Sequence, residues 1–408
     1  MADYEFLTEA TLPAYLAGQP DLAARVDPAD LVECREVGDG NLNLVFLVRD
    51  RAGRGLCLKQ ALPYLRLTGQ GWPLTPDRAR HEAESLGTYG GLTPTLVPEV
   101  YLYDAARHII AMENLSDHLV WRTALNQGLR HDGAAQAMGV FVGATAFGTS
   151  AFALEREALG QAMAAAINPQ LCQTTEDLVF TEPLVDAGRN AVLAANQPDV
   201  AAFQSDPAMV AEMGLAKWLF MTKAEALIHG DLHTGSVMVR SPAGSTVADS
   251  VKAFDSEFAF YGPVAFDLGA LFANYVIAAA RAFALGENER AAWCLTLIPQ
   301  TWASFEAEFR SRWPSRRDPR LWGEAFLDNL FATWQAESWL FAAAKMSRRV
   351  IGLAKAADIE TLPPALREGA ARGLLQVAQW IATERRKGAS PVRLIEIACR
   401  VLIETRTG

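Results

Sequence analysis

The chain has 408 residues, half of them apolar and 21% charged, with 30 glycines and 20 prolines, a mixture that supports a large buried core and excludes a disordered or fibrous chain. A formal charge of −10, with no run of five lysines or arginines, excludes a polynucleotide partner held by backbone charge. Cys34, Cys57, Cys172, Cys294 and Cys399 are scattered and never spaced C-x-x-C, which argues against a disulfide framework or a zinc knuckle.

The first residues, Met-Ala-Asp-Tyr-Glu, lack the basic and apolar regions of a signal peptide, so a cytoplasmic protein is expected. From residue 31 to about 115, short apolar runs are broken by turns. LVECREV, LNLVFLV and LCLKQAL read as three antiparallel strands, residues 75–89 as a helix, and VPEVYLY and HIIAMEN as two further strands. After Asn114 the pattern changes to long Ala/Leu/Trp-rich segments, with helices expected at 133–152, 206–228, 264–285, 324–355 and 364–387. Two short strands, 236–239 and 251–254, are the expected interruptions. Residues 133–154 carry no charge over 22 positions, but four glycines, Gln136, Thr145, Thr149 and Ser150 dilute them, and the flanking Asp132 and Glu155 are not membrane anchors. A buried helix is expected there, and no second segment of that kind. The fold class is therefore α+β and bilobal: a small β-rich N-lobe with one main helix, residues 1–115, and a large, mostly helical C-lobe, residues 116–408.

Gly38-Asp39-Gly40-Asn41, between the first two strands, is a tight turn whose backbone can approach phosphates, although turn chemistry alone also explains it. On the third strand, alternation puts Lys59 and Cys57 on one face and Leu56 and Leu58 on the other. In the next helix Glu82 and Glu84 are both available to pair with Lys59, and Glu82 is the preferred partner. Ile228-His229-Gly230-Asp231-Leu232-His233-Thr234-Gly235-Ser236 is the strongest single motif. The histidines are four apart, as in a zinc helix, but Gly230 and Gly235 argue for a loop, where Asp231 would accept or orient the proton of an attacking hydroxyl. Lys252-Ala253-Phe254-Asp255-Ser256-Glu257, whose Asp255 lies 24 residues after Asp231, ends in two carboxylates suited to Mg²⁺. Glycine turn, strand lysine, helix glutamate, HGDLH loop and D-x-E, in that order, point jointly to phosphoryl transfer from a nucleotide.

With these residues in hand, the chain resembles the protein-kinase-like phosphotransferases that include aminoglycoside, choline and methylthioribose kinases. GDGNLNLVF, KQALPY, Trp72-Pro73-Leu74, DRARHEAE, MENLSDH, HGDLHTGS, FDSEF and Ser347-Arg348-Arg349 are similar to the methylthioribose kinase signatures. Ser236 stands where aminoglycoside kinases carry Asn, and Glu257 is the added acidic residue.

The resemblance implies Mg-ATP as cofactor and transfer of the γ-phosphoryl group to the anomeric 1-hydroxyl of 5-methylthioribose, in methionine salvage. It implies ATP contacts at Gly38, Gly40, Asn43, Lys59, Glu82, Asp255, Ser256 and Glu257, with Glu113, Asn114 and Leu115 as an adenine hinge. Asp255 and Glu257 would ligate the metal, and Asp231 would act as the catalytic carboxylate facing the sugar. Arg348, Arg349 and a lid residue, Trp72, would complete the substrate site, and a homodimer is implied. The alternatives are a kinase for another small alcohol, such as 5-deoxyribose, an aminoglycoside or choline, or a catalytically dead nucleotide-binding regulator.

Overall fold

Strand alternation gives the N-terminal sheet two apolar faces, and each is covered by helix. In the computed structural model, which describes residues 4–38, 42–66 and 71–407, β1 (Leu31–Glu36), β2 (Asn43–Asp50), β3 (Gly55–Ala61), β4 (Val100–Asp104) and β5 (Ile109–Glu113) form one antiparallel sheet in the order β1-β2-β3-β5-β4. Leu56 and Leu58 join Phe46, Val48, Ile109 and Ala111 in a core closed by Leu12 and Leu16 of α1 (Leu12–Ala17) and Leu22 of α2 (Pro20–Ala23). Those two short helices lie before the stretch to which strands were assigned from sequence. On the other face α3 (Arg78–Leu92) packs Ala79 and Ala83 against Ala61, Ile110 and Met112. Lys59 projects from this second face, as the period-two pattern requires.

The C-lobe is built from β6 (Leu119–Val120), α4 (Trp121–Asn126), α5 (Ala134–Gly148), α6 (Arg156–Ala165), α7 (Pro169–Thr175), α8 (Gln197–Ser205), α9 (Pro207–Thr222), β7 (Ala226–Ile228), β8 (Val237–Arg240), β9 (Ser250–Ala253), β10 (Phe260–Gly262), α10 (Val264–Ala284), α11 (Asn288–Arg312), α12 (Glu324–Ile351), α13 (Ala357–Glu360), α14 (Pro364–Glu384) and α15 (Pro391–Thr405). Among its described residues this lobe holds five strand pieces where two were expected. The helix expected over 206–228 stops at Thr222, and Ala226–Ile228 pairs with Phe260–Gly262 instead. Local propensity in that Ala/Leu/Ile run is indifferent, and the cross-strand partner beside this fully buried run decides the outcome.

Two apolar helices form the centre of the lobe. Within residues 133–154, Ala134–Gly148 form a buried helix, α5, and the chain turns after it; α5 is pressed so tightly on α11 that a Cβ on Gly139 would lie 2.3 Å from the Thr301 carbonyl oxygen. Helix α10 was not expected to share this character. It is long and apolar enough to cross a bilayer, yet 94% of its most apolar stretch is buried inside the protein. Helix α11, absent from the sequence expectation, carries Pro299 in its interior and is held by packing through Leu295, Ile298, Trp302 and Phe305. All five cysteines are free.

Candidate active site

The HGDLHTGS segment is a loop, and its shape is set from below by Asp267 in the first turn of α10. That carboxylate accepts the backbone N–H of His229 at 2.7 Å and of Gly230 at 3.1 Å. Gly230 has φ +81°, and a Cβ there would meet the Phe258 carbonyl oxygen at 2.2 Å, so only glycine fits. Gly230→Ala is expected to abolish accumulation of folded protein, or to lower its unfolding midpoint sharply, in a thermal melt. An alanine variant as stable as the parent would show that this backbone conformation is not required. His229 faces the D-x-E strand, its Nε2 lying 2.9 Å from the Phe254 carbonyl oxygen, while Ser236 Oγ donates to the Asp231 carbonyl oxygen at 3.0 Å. The loop is thereby stitched to the segment that ends in Asp255 and Glu257. Neither His229 nor His233 belongs to a metal-type cluster among the described residues.

Asp231 lies under three cations and a histidine. Lys345 Nζ donates to its Oδ1 at 2.8 Å, and His233 Nε2 lies 3.4 Å from Oδ2. Burial pushes this carboxyl up, but Lys345, His233, Arg348 and Arg349 outweigh burial and hold it well below the usual carboxylate range. Burial likewise holds His233 well below the usual imidazole range, so it is neutral. Its Nδ1 accepts the Gly235 N–H at 3.0 Å, which leaves the ring proton on Nε2, facing Asp231. The two arginines differ. Arg348 is half-buried and has Asp231 and Arg122 as its charged neighbours, whereas Arg349 also donates to the carbonyls of Ala354 and Lys355 at 3.2 and 3.3 Å, tying down the chain after α12.

Across the cleft, Lys59 Nζ is 2.6 Å from Glu82 Oε2 and also ion-pairs with Asp255 Oδ1, while Glu84 turns outward to Arg80. Burial disfavours the charged lysine, but Asp255, Glu82 and Glu257 together raise its pKa, so it is a fixed cation. Burial raises Glu82 in spite of that lysine. Asp255 adopts φ +67°, a left-handed conformation uncommon for a residue other than glycine. Oxygens of Glu82, Asp255 and Glu257 all lie within 4.8 Å of one another. This is a hard-oxygen set of the kind that suits Mg²⁺, with Asp255 the partly exposed member.

Glu257 is held by two residues. Asn43 Nδ2 and Arg78 Nε both donate to its Oε2 at 3.0 Å. Arg78, 0% exposed, also donates through one terminal nitrogen to the Leu62 and Thr75 carbonyls at 2.6 and 2.8 Å, and through the other to the Leu42 carbonyl and to Asn43 Oδ1 at 3.1 Å. The end of the glycine turn, the end of β3, the start of α3 and the D-x-E carboxylate thus share one guanidinium. Ser256 points away from the carboxylates, its Oγ 2.7 Å from Ser85 Oγ on α3. Arg78, Lys345, Arg122 and Asp267 were not singled out from sequence. Arg78 sits within DRARHEAE, where attention fell on the glutamates, and Lys345 is one turn before Arg348-Arg349.

The remaining expected residues lie around the cleft. Gly38 ends the described part of the glycine turn, and Gly40 lies outside the described residues. Glu113 pairs with Lys252 at 2.8 Å, Asn114 Oδ1 accepts the Ser116 N–H at 2.8 Å, and the Leu115 carbonyl accepts from His118 at 2.9 Å, so this connection between the lobes is a tightly bonded turn. Trp72 stacks on the Arg189 guanidinium, 4.7 Å from its ring centre, and Thr75 N–H donates to Gln170 at 2.7 Å, so the segment 71–75 rests on the C-lobe.

With this geometry established, similarity to known proteins has a physical frame. The model of the phosphotransferase enzyme family (APH) matches residues 33–297. The chain is 38% identical over 374 residues to the methylthioribose kinase of Yersinia enterocolitica serotype O:8, covering 89% of this chain and 90% of that protein. It is 37% identical over 345 residues to the methylthioribose kinase of Pectobacterium carotovorum subsp. carotovorum, covering 82% and 84%. A looser likeness, at TM-score 0.43 and 14% identity over 97% of this chain and 99% of that one, is to the solved choline/ethanolamine kinase family protein from Mesorhizobium loti. The chain belongs to the phosphotransferase enzyme family and, within it, to the methylthioribose kinase family.

Proposed function

We propose that this phosphotransferase moves the γ-phosphoryl group of ATP to the anomeric 1-hydroxyl of 5-methylthioribose, a step of methionine salvage. The observation that carries the reading is the opposition, across one cleft, of an ionised Asp231 to the Lys59–Asp255–Glu257 cluster, in a chain akin to methylthioribose kinases over 89% of its length. The sugar oxygen bonds the γ-phosphorus, the bond to the β,γ-bridging oxygen breaks with its electron pair leaving on ADP, and the hydroxyl proton passes to Asp231. Asp255 and Glu257 would hold Mg²⁺, which supplies charge neutralisation on the phosphate oxygens when bound. Lys59, ordered by Glu82, meets the α- and β-phosphates, with Gly38 and Asn43 on the phosphate side. Glu113, Asn114 and Leu115 receive adenine through backbone groups. Ser256 acts by fastening the D-x-E turn to α3. Arg348, with Arg349 behind it, faces the substrate and the transferring group, and Trp72 belongs to a lid over the sugar. We place the enzyme in the cytoplasm, working as a homodimer.

The test is ADP release from Mg-ATP with 5-methylthioribose, 5-deoxyribose, kanamycin or choline at equal concentrations. Methylthioribose is expected to be preferred. A thiomethyl group in an apolar pocket is worth only about 1–3 kcal/mol, so 5-deoxyribose is the informative competitor. Equal or better turnover of 5-deoxyribose, or turnover of the cationic substrates alone, would reject the assigned acceptor.

A further inference from the structure

Helix α12 carries a lysine where its surroundings call for an apolar residue. Trp339, Leu340, Phe341, Ala342, Ala343, Ala344 and Met346 are each at most 1% exposed, and Lys345 among them is 3% exposed, its ammonium 4.4 Å above the Phe266 ring. Removing an ammonium from water costs several kcal/mol unless a partner offsets it. The hydrogen-bond partner of Lys345 is Asp231 Oδ1, at 2.8 Å and 114 residues away in sequence.

Resting on the function proposed above, we infer that Lys345 is a positioning residue. By occupying Oδ1 of Asp231 it orients the carboxylate so that Oδ2 is the oxygen that receives the sugar hydroxyl. The Asp231 side chain is 22% exposed, so it reaches the cleft, whereas the lysine side chain is 4% exposed and does not. Among the described residues Oδ2 has the longer 3.4 Å approach of His233 Nε2 and no closer donor, which suits it to receive the sugar hydroxyl. Lys345 also precedes Arg348 and Arg349 by three and four residues, so one helix side presents all three cations. The arginines then serve the incoming charge while the lysine is committed to the acceptor. The charged and titratable groups facing this site are Lys345, Arg348 and Arg349 from α12, His233 from the loop itself, Arg122 from α4 and Asp267 from α10.

Lys345→Met and Lys345→Arg decide the matter through the pH dependence of kcat and through titration of the Asp231 carboxyl, followed by carbon-13 NMR. In Lys345→Met, kcat is expected to fall about 10- to 100-fold, within the span of acid–base contributions. KM for the sugar should change by less than about threefold, since ground-state binding is not what the lysine supplies. Lys345 favours the charged form of Asp231, so its loss raises that pKa and moves the acid limb of kcat to higher pH. Lys345→Arg, which keeps the charge, should restore the limb and most of the rate. A lysine that only stabilises the fold would scale the profile without moving its limb, and that result, or a kcat within about threefold of the parent, overturns the inference. If the parent turns over no methylthioribose, the substrate assignment falls, and the NMR titration still judges Lys345: an unmoved Asp231 pKa in Lys345→Met rejects it. If the methionine variant does not fold, Lys345→Gln takes its place in both measurements.

Discussion

Replacing Asp231 with asparagine is expected to lower kcat by about 10³-fold or more, at the upper part of the range for acid–base and charge contributions, while ATP affinity stays within about twofold. The substitution keeps the shape of the side chain but removes its charge and its ability to take a proton. It also leaves Lys345, Arg348 and Arg349 without the anion that they surround. Because those cations hold Asp231 well below the ordinary carboxylate range, the parent should show no acid limb from this group near neutral pH, and its kcat should stay flat as pH falls towards the usual carboxylate region. Steady-state kinetics together with nucleotide-binding calorimetry checks both parts. Turnover by Asp231→Asn within tenfold of the parent would remove Asp231 from the reaction, and a large loss of ATP affinity would instead place it in the nucleotide site.

The second large effect is expected at Arg78. Arg78→Met leaves Glu257, 1% exposed, without its ion-pair partner, with the Asn43 hydrogen bond and the nearby Lys59 charge as its remaining support among the described residues, and strands the carbonyls of Leu42, Leu62 and Thr75. Breaking one side of a buried ion pair costs about 3–5 kcal/mol, so the unfolding midpoint should drop clearly in a denaturant titration. Folded protein should also bind Mn²⁺ about 10- to 100-fold more weakly by electron paramagnetic resonance, the usual consequence of losing a group that orients a metal ligand. Arg78→Lys should not rescue it, because one ammonium cannot serve five directions at once. Parent-like Mn²⁺ affinity in Arg78→Met would show that Glu257 needs no such support to serve as a ligand.

Much of the N-lobe was legible because its information is local. Alternation along β3 assigns Lys59 and Leu58 to opposite faces without reference to anything distant, and the structure has them there. The glycines of HGDLHTGS likewise announce a loop. Legibility failed where neighbours in space, not in sequence, choose the outcome. Ala226–Ile228 becomes a strand only because Phe260–Gly262 lies beside it, and α11 stays helical through Pro299 because α5 and α10 hold it. The short N-terminal helices, six and four residues long, carry too few turns for a periodic signal and exist by packing on the sheet.

By itself the sequence determined the two-lobed α+β character and the order of the chemical motifs. It also presented the two carboxylates of D-x-E and a lysine on the inner face of β3, because periodicity and turn chemistry act over a few residues. Only the tertiary structure decided which charges are paired. Glu257 meets Arg78 across 179 positions and Asp231 meets Lys345 across 114. In sequence a buried Arg or Lys reads the same as a solvated one, since its cost and its purpose both arise from the water that packing removes and from the partner that packing supplies.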